Sequence, residues 1–407
     1  LPSTNVTINS NSVLEYNYSS RIIAPSSVTY AGAGTLRTAG TGSVVFGPGI
    51  INVDFSPGAL IDVQSGLLTG SSSYGGIWAS NQASINIDSG AVFDAVEASP
   101  NGAMQIDALT GAGTFQGGFY LNNNAGLSTV TIGVADGSGT FDGSLQNDLD
   151  ARLGIVKTGT GTETLSGTNT YSGGTVVDGG TLALNGTAGS GSVIVVGGTL
   201  AGTGAIAGPV AVDSGGTFYP GAPLGTISIS NTLFLAGNTV MAINSGTNSQ
   251  VVGLSHITYG GLLTITNLGA TLAAGNTFPL FSAASYSGSF DAIVANFGDG
   301  VTFGFNPTNG TLTILNVVYH PPTVPTNLTC TASSGAITVS WPATYTGWIL
   351  QAQKNPASQE GLTTNWADVS SSDTVNSLTF STTALNSGFF RLRAPSEPSQ
   401  PLSPPAK

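Results

Sequence analysis

The 407 residues suffice for a sizeable core, but only 7% are charged against 40% apolar, so the surface must be covered by Ser, Thr, Asn and Gly rather than by ions. The 58 glycines, without any Glu/Lys/Ala/Leu helical pattern, point to an all-β chain with many turns. A net charge of −12 makes nucleic acid and anionic membrane surfaces poor partners. No apolar run approaches the roughly 20 residues that a bilayer span needs, so no membrane insertion is expected. Cys330 is the lone cysteine and allows no intrachain disulfide. The chain opens at Leu1 in strand-like sequence without a leader pattern, as expected of a processed N-terminus.

Residues 1–30 contain alternating polar strands, Asn5-Val6-Thr7-Ile8 and Ser12-Val13-Leu14-Glu15-Tyr16, followed by Ile22-Ile23. They read as a cap or starting coil, because an end coil otherwise leaves unpaired backbone groups. A glycine-marked rhythm starts at Ala31 with Gly34-Thr35-Leu36 and continues through Ser43-Val44-Val45-Phe46, Ile85-Asn86-Ile87 and Ala91-Val92-Phe93-Asp94. Gly113-Thr114-Phe115 and Gly139-Thr140-Phe141 carry the same mark at irregular spacing.

The spacing becomes regular in the middle of the chain. Gly180-Thr181-Leu182, Gly198-Thr199-Leu200 and Gly216-Thr217-Phe218 follow one another at equal steps, from 182 to 200 and from 200 to 218. Short period-two runs such as Val193-Ile194-Val195-Val196 lie between them. Three short strands and three turns fill such a step, which is one coil of a parallel β-solenoid. Equal spacing predicts Leu182, Leu200 and Phe218 as one interior column. The preceding glycines are expected at a corner, where positive φ and a missing Cβ let the chain bend tightly.

The string Ile155-Val156-Lys157-Thr158-Gly159-Thr160-Gly161-Thr162-Glu163-Thr164-Leu165-Ser166-Gly167, continued by Asn169-Thr170-Tyr171-Ser172-Gly173-Gly174-Thr175 and Val177-Asp178-Gly179-Gly180-Thr181-Leu182, closely resembles the autotransporter-associated β-strand repeat of large secreted bacterial surface proteins. The resemblance is specific over residues 154–185 and looser to about residue 315. It implies a right-handed β-helix exported from the cell and no activity, because such repeats build stalks. At about 19 residues per coil and about 4.8 Å per strand spacing, residues 31–317 amount to on the order of 15 coils and roughly 70 Å. The last part of this region, from Leu272 through Phe281 and Phe290 to Ile314, resembles the usual end of these proteins and is expected to cap the solenoid with longer antiparallel strands.

Pro321, Pro322 and Pro325 mark a linker over residues 318–326. Strand-like runs at Leu328-Thr329-Cys330-Thr331-Ala332, Ile337-Thr338-Val339-Ser340-Trp341, Trp348 to Gln353 and Phe389 to Arg393 then fall at sandwich spacing. Residues 321–342 resemble the opening of a fibronectin type III module, which would occupy residues 327–395. Residues 396–407 are a Pro-rich tail without a core of their own.

Chemical candidates are few. His256 and His320 have no visible catalytic partner, and Cys330, near Leu328 on an alternating strand, is expected to be a buried inert thiol. Asp148 and Asp150 would share a strand face, and Asp136 and Asp142 flank a Gly-Ser-Gly turn; both arrangements more often serve turns than acid–base chemistry. Asp-rich turns could hold Ca²⁺, but the Gly-Gly opening and repetition of a calcium-binding array are missing, so no cofactor is expected. The adjacent Asp-Asp, Gly-His-Gly and Arg-x-Lys strings that similar β-helix polygalacturonases carry are also missing, and residues 31–317 offer only Arg37, Arg152 and Lys157 as strong bases. Tyr74, Trp78, Phe119 and Tyr120 lie in glycine-rich stretches where exposed rings could stack on a polysaccharide. The expectation is a right-handed parallel β-solenoid followed by a small Ig/fibronectin III-like sandwich, with a non-enzymatic structural role outside the cell. Residues 1–30 and 396–407 are the segments expected to join copies head to tail. A glycan-binding adhesin and a β-helix polysaccharide lyase or hydrolase are the alternatives. The C-terminal part shows no strand ladder of an outer-membrane barrel, so translocation by this chain itself is not expected.

Overall fold

The computed structural model describes residues 4–24, 28–46, 51–69, 76–95, 103–117, 127–148, 152–298, 300–317, 326–355, 366–381 and 387–394. The chain divides into two compact units, Leu1–Val317 and Val318–Lys407.

The first unit is a three-sided parallel β-solenoid. Its front side is a 14-stranded sheet running from Val13–Asn17 to Ala292–Asn296, with the antiparallel hairpin strand Thr247–Asn248 off the path. The second side is a four-stranded sheet, Thr4–Ile8 to Gly76–Ile77, continued by a nine-stranded sheet, Ala103–Ile106 to Tyr286–Gly288. A single parallel bridge, Trp78 to Met104, joins the two. The third side begins as a six-stranded sheet, Ile22–Ala24 to Ser144–Asn147, and resumes as a five-stranded sheet, Thr187–Ala188 to Phe281–Ala283. Thr168, bridged to Thr187, spans that change, with its carbonyl accepting from Ser144 Oγ. The chain therefore visits the same three sides in the same order on every coil.

Period two dictates which residues line the interior. Along Ser84–Ile87 both isoleucines are buried while Ser84 and Asn86 are half-exposed. Stacking extends this pattern into columns: Leu36, Ile61, Ile85 and Leu109 are successive register partners, all fully buried. Leu182, Leu200 and Phe218 form another such run in the same sheet.

The coil length varies more than the repeat suggests. Leu182 pairs with Leu200 and Leu200 with Phe218 at the short, equal step, but Ile61 pairs with Ile85, Phe115 with Leu145 and Leu263 with Ile293, all at longer steps. The interior columns stay in register because the additional residues enter at corners. Fewer, longer coils than the repeat spacing suggests result. The first of them comprises Thr4–Ile8, Val13–Asn17 and Ile22–Ala24.

The three corner glycines have two different reasons. Gly180 has φ +59°, which disfavours a side chain, whereas Gly198 and Gly216 do not adopt positive φ. They are required by space. A Cβ at Gly198 would lie 2.8 Å from Val177 Cγ1, and one at Gly216 would lie 2.4 Å from the Val195 carbonyl oxygen of the coil below. Gly198 and Gly216 thus mark close backbone approach rather than a left-handed bend.

The far end is covered by an antiparallel sheet of Thr277–Pro279, Thr311–Val317 and Val301–Asn306. Leu312 and Ile314 of this sheet are buried, and Phe305 packs edge-on to Tyr259 at 5.4 Å. The second unit consists of two three-stranded antiparallel sheets that fit a β-sandwich, with Val339, Trp341 and Leu350 in the core and Leu378, Phe380, Phe390 and Leu392 packed against them.

Leu200→Ala should cost about 2–5 kcal/mol, read as a lower urea midpoint, because Leu182 and Phe218 in neighbouring coils cannot close the hole without breaking register. Gly216→Ala should lower the midpoint more than Gly198→Ala. The first places a methyl 2.4 Å from a backbone oxygen, and the second 2.8 Å from Val177 Cγ1 and 2.9 Å from the Gly180 carbonyl oxygen; equal shifts would refute the spatial account.

Candidate functional site

The aromatic candidates do not form an exposed platform. Trp78 is fully buried, edge-on to Phe93 at 5.6 Å and 6.5 Å from Phe46, so it presents no face to a sugar. Its sequence neighbours are Gly-rich, but period two turns this ring inward beside the bridge to Met104. Tyr74, Phe119 and Tyr120 lie outside the described residues.

The carboxylates mostly serve the backbone. Asp136, held at φ +66°, accepts the Thr160 N–H at 2.7 Å. Asp107 Oδ1 accepts the Ala135 and Gly137 N–H groups at 2.9 and 2.8 Å. Asp142 is exposed on its turn, and Asp150 lies outside the described residues, so no acid–base pair with Asp148 is seen. Arg37 is committed on the outer front face to Asp62 at 2.9 Å and Glu15 at 3.8 Å, its register neighbours on either side. Among the described residues no three His, Cys, Asp or Glu side chains gather where a metal ion could sit.

Two expectations need correction. Cys330 is exposed, not buried. Its strand, Thr329–Ser333, is the outer strand of its sheet and lies beyond the core formed by Val339, Trp341 and Leu350. His256 has partners that its local sequence does not reveal: Nδ1 is 2.7 Å from Ser285 Oγ and Nε2 is 2.9 Å from Ser287 Oγ. His320 lies outside the described residues.

Inside the solenoid the structure brings together a polar corner. Lys157 and Glu163 have no exposed surface, and Asp107 is nearly buried beside them. The Lys157 ammonium donates to the Thr158 carbonyl. Glu163 Oε2 accepts the Leu109 N–H at 3.3 Å, whereas its Oε1 has no partner. Glycines make the room: a Cβ at Gly180 or Gly133 would come within 2.8 or 2.9 Å of Lys157 Nζ, and one at Gly139 within 2.8 Å of Glu163 Oε2. Burial pushes the Glu163 carboxyl up to about 8, with the Leu109 hydrogen bond and the Lys157 charge opposing. Burial lowers the Lys157 ammonium, opposed by Glu163, Asp136 and Asp107. The corner was legible in part. Period two puts Lys157 on the side of Ile155 and Glu163 on the side of Leu165, but not their convergence across two sides.

On the outer front face Thr110, Ser138, Gly139, Thr140, Thr162 and Thr164 line a shallow depression of about 300 Å³. None of these described lining residues is charged.

Residues 155–184, whose strands run along the second and front sides around this polar corner, match the passenger-associated-transport-repeat family. That stretch is similar to repeats of autotransporter passengers, and it includes Lys157, Glu163, Gly180 and the start of the regular column at Leu182. No curated protein matches the chain.

Because Glu163 binds its proton more tightly folded than at its ordinary 4.5, the folded state holds more protons than the unfolded one between about pH 5 and pH 8. Its contribution to stability is therefore present at low pH and lost as pH rises through that window. Thermal melts should show the native protein losing stability across this range and Glu163→Gln losing less; parallel slopes would mean that Glu163 is not the titrating group.

Proposed function

We propose that the chain is a non-enzymatic extracellular structural protein, a stalk or repeating subunit of a surface filament or matrix, joined through the ends of its solenoid. The passenger-type repeat supports a secreted or surface-exposed protein. The observation that carries the assembly reading is the first coil. Thr4–Ile8, Val13–Asn17 and Ile22–Ala24 are terminal strands of their three sheets, each paired on one edge alone. Their core-facing Val6, Leu14, Tyr16 and Ile22 are only partly buried, while their register partners one coil on, Tyr30, Leu36, Thr38 and Val44, are buried. An unpaired backbone edge above half-covered apolar side chains favours a further coil, whether from a second copy or from preceding residues of a longer chain. At the other end, Val294 and Leu315 are 55% and 60% exposed. Two unlike ends that meet make a heterologous contact, which propagates.

Glycan binding is a second reading, supported by the depression at Thr140. Its hydroxyls and methyl groups suit a neutral sugar better than a charged one. A lyase or hydrolase has less support, since the Arg37 carboxylate partners sit on a flat sheet and are held by the same guanidinium.

Negative-stain electron microscopy tests the assembly. The native protein is expected to form long uniform fibres, and Leu14→Lys, which puts an inward-pointing charge on the open edge, is expected to give separate particles with an unchanged circular dichroism spectrum. Separate particles from both proteins would sink the filament reading, and neutral-oligosaccharide binding would become the question.

A further inference from the structure

Near the capped end, the second side carries a histidine held between two serines. Strand His256–Tyr259 pairs in parallel with Tyr286–Gly288, with Ile257 opposite Tyr286 and Thr258 opposite Ser287. Ser285 and Ser287 are two residues apart and share the outward face, one on each side of the His256 ring. Both serines are exposed.

One tautomer of His256 fits the whole set of contacts. Ser285 Oγ lies 3.1 Å from the Ser255 carbonyl, which can only accept. With the Ser285 proton directed there, Ser285 accepts from His256 Nδ1 at 2.7 Å. Nδ1 therefore carries the ring proton, and the bare Nε2 faces Ser287 Oγ at 2.9 Å. The other acceptor within reach of Ser287, the Ile257 carbonyl, is 3.4 Å away, beyond the usual O–H···O range. In that tautomer Ser287 donates to Nε2, and Thr258 Oγ1 lies 3.1 Å from the Ser287 oxygen. A hydroxyl bonded to a base and a base oriented by a third group make up the arrangement of an activated nucleophile.

We propose that Ser287 is such a nucleophile and accepts an acyl group from an activated ester, with His256 as general base and Ser285 as the positioning residue. In the step, Ser287 Oγ bonds to the acyl carbon while its proton passes to His256 Nε2. The bond from that carbon to the leaving group then breaks, and the leaving group departs with the proton from Nε2. The products are O-acyl-Ser287 and the protonated leaving group, with no change of oxidation state. A single acylation per chain is enough to serve as a covalent attachment point. Acylation of Ser287 does not depend on polymerisation, because it takes place on the outward face of the second side, away from the first coil.

The full chain is treated with p-nitrophenyl acetate and, separately, with a fluorophosphonate that forms a stable adduct, and modified peptides are mapped by mass spectrometry. The expected result is one adduct, on Ser287, forming at least about 10²-fold faster than in the same protein unfolded in urea. His256→Gln should fall to the unfolded rate. Ser285→Ala should slow the reaction and Ser285→Thr restore it, all with unchanged melting temperature. If His256→Gln lowers the melting temperature, the Ser285 pair supplies the discrimination. No adduct on Ser287, or equal rates across the His256 and Ser285 variants, would overturn the proposal.

Discussion

In a parallel solenoid every strand both donates backbone hydrogen bonds to, and accepts them from, the coils below and above, at about 4.8 Å per step. That constraint reaches every position. A side chain facing inward must stack on its register partners, as Leu36, Ile61, Ile85 and Leu109 do. The corner beneath must leave room for the corner above, which is why Gly216 sits where a Cβ would strike the Val195 carbonyl. Outside, the same stacking sets Glu15 over Arg37 and Arg37 over Asp62, so that even a chain with 7% charged residues forms an ion ladder.

The polar corner shows the other side of that constraint. An inward position closed on all sides by neighbouring coils offers little water to an ionisable tip. Lys157 and Glu163 are therefore held by backbone groups and by each other's field, with their protonation shifted in opposite directions. A core that keeps such a pair gains no stability over an apolar one of equal volume. The apolar columns beside the pair fix the register: Leu182 stacks next to Glu163 and Val177 next to Lys157, and a one-residue slip of either strand would turn these apolar side chains outward.

The ends are where the constraint is left incomplete. The capped end uses three antiparallel strands and a cluster of rings around Tyr259 to close the last coil. At the first coil the half-covered Val6, Leu14, Tyr16 and Ile22 keep the geometry of an interior coil. The His256 array lies on a wall of the solenoid, where side chains far apart in sequence but in adjacent coils come within hydrogen-bond distance.

Periodicity alone determined the fold class. The equal steps from Leu182 to Leu200 and from Leu200 to Phe218 pointed to a solenoid because so short a repeat cannot bury its own apolar face and must stack on its neighbours. Equal spacing also placed Leu182, Leu200 and Phe218 in one column. Local alternation also contained, unremarked, the inward placement of Lys157 and Glu163. What only the tertiary structure decided are facts that depend on coil length. Corners absorb additional residues without disturbing the columns, so the sequence distance between neighbours in adjacent coils is short from Val193 to Val210 and long from Phe115 to Leu145. Which serines meet His256, which glycines are pressed by backbone rather than bent, and that Trp78 turns inward beside Met104 all rest on that distance. Exposure of Cys330 depends on a different tertiary fact, the position of its strand at a sheet edge. The physical reason is common to both: strand pattern is a property of neighbouring residues, whereas pairing and coverage are properties of the chain that arrives later.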